Sequence, residues 1–94
     1  MDWRRQARKA LREYPRAKKR AGDGDRVLIE AVERALWMQS IYPNAAERRR
    51  MVELVYFRRT HTMDGAAMEC HYSRETVQKW NIEILSAVYV GLLR

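Results

Sequence analysis

The sequence predicts an all-α fold of about five helices in a chain of 94 residues. Three observations carry that prediction. Apolar residues recur at three- and four-residue steps along most of the chain. No stretch alternates apolar and polar residues as a half-buried strand would. Two prolines and four glycines leave few points at which the chain must break. A chain this short closes one modest core, without room for a separate catalytic domain beside it.

The first helix is expected over about residues 3–19, with Trp3, Ala7, Ala10, Leu11 and Tyr14 on its apolar stripe. Pro15 is expected to kink it or end it near Tyr14, because proline lacks an amide hydrogen and its ring crowds the preceding turn. Residues 21–25 form a loop in which Asp23 or Asp25 can cap the next helix. That second helix spans about 26–41, with Leu28, Val32, Ala35, Leu36 and Gln39 on one face. Asn44 is the expected cap of a third, from Ala45 to about Arg59. Met51, Leu54, Val55 and Arg58 should line its inner side, with Glu47, Arg48, Arg49, Arg50 and Glu53 in water. Thr60, His61 and Thr62 read as a loop, then comes a short helix over 63–70. After a turn at His71 and Tyr72, Ser73 should cap a long last helix through Leu92. Its apolar seam is Val77, Trp80, Ile84, Ala87, Val88 and Gly91. Trp37 and Trp80 are expected as core anchors. Trp3 either folds back on the body or meets a partner chain.

The formal net charge of +7 is concentrated at one end. Residues 1–20 carry nine basic groups against Asp2 and Glu13, whereas the rest of the chain balances ten basic with ten acidic residues. Residues 1–21 therefore read as a basic helix or arm, joined to a helical domain over 22–94. A concentrated basic element attracts a polyanion, because neutralising phosphates releases condensed counterions. Arg4, Arg5, Arg8, Lys9, Arg12, Lys18 and Lys19 are the candidate phosphate contacts.

Residues 63–82 carry the more specific pattern. A helix-turn-helix needs a small residue where its two helices cross, then a residue that tolerates a left-handed turn. A hydrophobe then plugs the angle, a cap opens the second helix, and an aliphatic residue four positions later packs it back. Ala67, His71, Tyr72, Ser73 and Val77 meet these demands in order. Histidine stands where glycine is usual, and it is among the non-glycine residues that enter positive φ more readily. With Val77 inward, Arg74, Glu75, Gln78 and Lys79 face outward. These side chains can pair with guanine, cytosine and adenine edges in a major groove. Ser73 and Thr76, at the helix start, are further candidate phosphate contacts.

The stretch from Glu47 to Leu93 resembles region 4 of bacterial sigma-70-type factors, through ERRRMVELVYF, TMDGAAMECHYSRETVQKW and a long closing helix. SRETV is its most specific piece. The resemblance implies a domain that reads a promoter element, with Arg74 and Glu75 contacting bases and Lys79 at the polar position beyond them. The N-terminal ALREYPRAKKR is similar to the opening of small phage late-transcription regulators of the RinA and ArpU type. Together these resemblances imply a sequence-specific DNA-binding transcription regulator, of phage or prophage type and acting as an activator. Two alternatives stay open: a sigma-4-like adaptor that binds RNA polymerase, and a DNA-packaging subunit of the small-terminase kind.

Other chemistry finds little footing in the sequence. Cys70, His61 and His71 fall short of the two spaced ligand pairs that structural zinc needs, so neither metal nor cofactor is expected. The sequence contains no glycine-rich phosphate loop and no nucleophile with an evident base, so no catalytic residue is assigned. A lone cysteine, no apolar leader and no spanning segment suit a cytoplasmic protein without a membrane partner. A helix-turn-helix this small commonly pairs across a two-fold site, and Trp3 and residues 88–93 are candidate contacts between two copies.

Overall fold

The structure is a computed structural model and describes residues 2–94. Five α-helices hold most of them, and no strand occurs among the described residues. They are α1 (Trp3–Arg20), α2 (Arg26–Gln39), α3 (Ala45–Val52), α4 (Met63–Cys70) and α5 (Arg74–Leu92). A 3-10 turn (Asp23–Asp25) leads into α2, and a π-helical turn (Glu53–Phe57) closes α3. None of these helices is long and apolar enough to cross a membrane.

Helix α5 is the axis of the fold, packing against the other four. Its Val77, Trp80, Ile84, Leu85 and Val88 are buried. They join Ala7, Ala10 and Leu11 of α1, Val32 and Ala35 of α2, and Met51 and Val52 of α3 in one core. Helix α5 crosses α2 closely at Gly91. A Cβ on Gly91 would sit 2.9 Å from the Ala31 Cα, so any larger residue would have to push two helix backbones apart.

Pro15 does not end the first helix. Helix α1 runs through it to Arg20 and closes on Ala21 in the left-handed region at φ 51°. Tertiary contacts on both sides of the proline offset its missing hydrogen bond. Tyr14 Oη donates to Glu33 of α2 at 2.7 Å, and Lys18 Nζ reaches the same carboxylate oxygen at 2.5 Å. The Tyr14 ring stacks on Phe57, and Ala17 beyond the proline is fully buried. At the other end of α1, Trp3 has folded back onto Tyr89, ring centres 5.9 Å apart.

Other expectations fail for physical reasons. Neither Asp25 nor Asn44 caps the helix after it. Asp25 instead holds Arg20 through two hydrogen bonds, and Asn44 Oδ1 accepts from Arg48 Nε at 2.9 Å. Arg48 is not in water but 6% exposed. One of its Nη atoms donates to Gln39 and to Glu83, each at 2.6 Å, and its guanidinium lies over the Tyr42 ring at 3.9 Å. Enclosing a guanidinium costs little only when acceptors surround it, and here α2, the loop after it and α5 each supply one. Arg58 lies outside, because the chain switches at Glu53 to the wider π turn, which buries Tyr56 beside the expected Leu54. Trp37 is no core anchor either. It is 71% exposed, lying around α2 from the buried Val32, Ala35 and Gln39.

Candidate nucleic-acid interface

The turn between α4 and α5 is built as its residue types require. Thr62 opens α4 by accepting the Gly65 amide at 3.2 Å. Ala67, 4% exposed, lets the neighbouring helices approach. Helix α4 then ends with His71 at φ 61° and ψ 38°. The His71 amide donates to Met68 and the Tyr72 amide to Ala67, the paired bonds of a Schellman ending. A histidine here is tolerated at a strain of about 1–2 kcal/mol that glycine would escape. The Tyr72 ring meets Trp80 edge-on with centres 4.7 Å apart, which fixes the angle at which the chain enters α5. Ser73 Oγ accepts the Thr76 amide at 3.2 Å and caps α5, and Val77 is fully buried one turn later.

With Val77 and Trp80 inward, Arg74, Glu75, Gln78 and Lys79 are all exposed on the opposite side of α5. They form a compact row over its first two turns. Arg74 Nε lies 2.9 Å from Asp64 Oδ1 of α4. Both of those side chains are about two-thirds exposed, so the pair is a weak tether that a competing acceptor can displace. Lys79 forms no ion pair with any described residue. Asp64 is a contact that sequence reasoning missed. Its place at the second position of α4, ten residues before Arg74, offers no helical spacing by which to find it. Ser73 and Thr76 hydroxyls engage each other at 2.9 Å, leaving their remaining hydrogen-bonding capacity to solvent.

The basic residues of α1 divide into two groups. Arg5, Arg8, Lys9, Arg12 and Lys19 follow helical steps away from the buried Ala7, Leu11 and Ala17, and form an outer cationic face. Arg16, four residues beyond Arg12, belongs to this face too, and its spacing could have placed it there. Lys18 does not share that face, since its charge is held by Glu33. Arg4 lies at the edge, its guanidinium 5.4 Å from the centre of the Trp3 ring.

Tyr56 links the basic face to α5. Its hydroxyl donates to Asn81 Oδ1 at 2.5 Å, and Asn81 lies one turn beyond Gln78. Burial raises the phenol's pKa, while the nearby positive charges of Arg8 and Arg12 pull it the other way. Helices α1 and α5 pack on each other, so the cationic face and the mixed polar row are carried by two helices in contact.

No group of three or more histidine, cysteine or acidic residues among those described is placed to share a metal ion. Cys70 is buried and directs its thiol at the Glu47 carbonyl, with its pKa raised mainly by burial. Compared with protein-family models, curated proteins and solved structures, the chain matches none in any of the three.

Proposed function

We propose that the protein binds double-stranded DNA as a transcription regulator, with the start of α5 in the major groove and the outer face of α1 against phosphates. One observation supports this above the rest. The left-handed His71 turn, the Ser73 cap and buried Val77 leave Arg74, Glu75, Gln78 and Lys79 exposed together, on a helix that packs against α1. Arginine forks onto guanine, glutamate accepts from cytosine and glutamine pairs with adenine, so this row has the chemistry to discriminate base pairs. The cationic face supplies affinity without sequence preference. The resemblance of residues 47–93 to sigma region 4, and of the N-terminus to phage late-gene regulators, makes activation of phage or prophage transcription the specific process proposed.

The test is selection of bound sequences from a random duplex library by the purified protein at physiological salt. Enrichment of a short motif, relaxed at one position by Arg74→Ala, is the expected result. Salt-sensitive binding without enrichment would remove base reading and leave α1 as a general DNA clamp. In that event, capture of RNA polymerase without DNA would support the adaptor reading, and large rings in a sizing measurement the packaging one.

A further inference from the structure

Helix α2 carries a second stripe, on the side away from the core. Val27, Glu30, Arg34 and Trp37 are all exposed, and Ile41 follows in the turn just beyond the helix. Their steps of three, four, three and four residues place them along a single seam, the spacing by which one helix packs lengthwise on another. Trp37 is 71% and Ile41 76% exposed, so the seam's most apolar residues have no cover within the chain. Isolated exposed hydrophobes are ordinary, but several gathered along one helix face mark a contact. Beside the seam, Met38, Tyr42, Ile82 and Val90 line an open groove of about 460 Å³ between α2 and α5, which extends the apolar area.

The charges in the middle of the seam identify the occupant. Glu30 and Arg34 lie four residues apart on one helix, a spacing at which such residues commonly pair. Yet neither forms an ion pair with any described residue of the chain. Now let a second α2 run antiparallel across the first, with a two-fold axis at the level of Val32. Glu30 of each copy then faces Arg34 of the other, and Val27 of each faces Trp37 of the other. The seam is complementary to itself in charge and in size, the property a two-fold contact requires.

We propose that this α2 seam joins two copies of the chain about a two-fold axis. The contact lies on α2, away from the row on α5. It is measured without DNA, so its failure and the failure of the DNA-binding reading are distinguishable.

Sedimentation equilibrium of the full chain across micromolar concentrations tests it, with circular dichroism confirming that each variant is folded. The wild type is expected to be a dimer. Glu30→Arg alone places two pairs of like charges across the axis, and so does Arg34→Glu. Each should weaken association by about a hundredfold or more. The double variant Glu30→Arg/Arg34→Glu restores both pairs and should dimerise again. An equimolar mixture of the two single variants should form a mixed dimer, because each then supplies the charge the other lacks. A monomeric wild type overturns the proposal and leaves the seam to a different protein. So does a dimer that ignores the charge swaps, or single variants that stay monomeric when mixed.

Discussion

Arg48 and Arg74 carry the same guanidinium into opposite surroundings. Arg48 is enclosed between α2, α3 and α5, and its donors meet Gln39, Asn44 and Glu83. Arg74 stands at the start of α5 with a single exposed partner, Asp64. An enclosed charge surrounded by acceptors organises the fold, and any ligand that wanted it would first have to dismantle three contacts. A charge held by one exposed carboxylate contributes little to stability and stays available for exchange. On α1 the difference is one of pairing rather than enclosure. Lys18 is engaged with Glu33, whereas Arg5, Arg8 and Arg12 are set on the outward face.

The largest expected effect is on the enclosed side. Arg48→Ala should destabilise the fold by about 3–5 kcal/mol, because it strands the buried Gln39 and the Glu83 carboxylate without their donor. Urea unfolding followed by circular dichroism measures this, and a destabilisation below about 1 kcal/mol would show that the enclosure contributes little. On the outer side, Arg5, Arg8 and Arg12 replaced together by Gln should leave the unfolding midpoint nearly unchanged. The salt dependence of DNA binding should become shallower by about three in log–log slope, about one for each phosphate that is no longer neutralised. Fluorescence anisotropy at several salt concentrations reads that slope, and an unchanged value would detach α1 from the interface.

Arg74→Ala is expected to cost about 1–3 kcal/mol on a preferred duplex and almost nothing on a random one. Equal effects on both would make Arg74 a phosphate contact rather than a base reader. His71→Gly should stabilise the fold by about 0.5–1 kcal/mol, since glycine relieves the positive φ but also gains freedom when unfolded; the shift in urea midpoint reads it. A further effect is confined to the alkaline limb. Burial, helped by the Glu33 hydrogen bond and charge, pushes the Tyr14 phenol up to about 12 from 10.0. A group whose pKa is raised on folding contributes stability that is complete below its unfolded pKa. That contribution should therefore drain away between pH 10 and about 12, and Tyr14→Phe should abolish this part of the pH dependence.

The segment from α4 to α5 is the most legible part of the chain. Each position there is constrained by its own neighbours: Ala67 by a close crossing, His71 by a left-handed turn, Ser73 by a cap. Rules of local stereochemistry are enough to read such a segment. The burial of Arg48 is illegible for the converse reason. Asn44 lies only four residues away, but no local pattern announces that Gln39 and Glu83, from two other helices, will converge on the same side chain. Trp37 shows a subtler limit. Helix α2 carries two stripes in different phases, and assigning the tryptophan to the right one requires knowing where the core lies. The local cost of Pro15 argues for a break, whereas contacts on both sides of it decide that α1 continues.

The π turn at Glu53–Phe57 has a consequence for how the chain tolerates changes in length. Arg58 donates to the Glu53 carbonyl five residues back, at 2.7 Å, so this turn consumes one residue more than an α-helical turn does. Removing a residue here, such as the half-buried Val55, leaves a chain that can close an ordinary α-helical turn before the loop at 58–62. Removing one from the middle of α5 has no such outlet. Each residue turns a helix by about 100°, so the deletion would rotate everything beyond it out of register with the core. The chain thus holds one spare residue, and holds it away from the helix on which the fold is assembled.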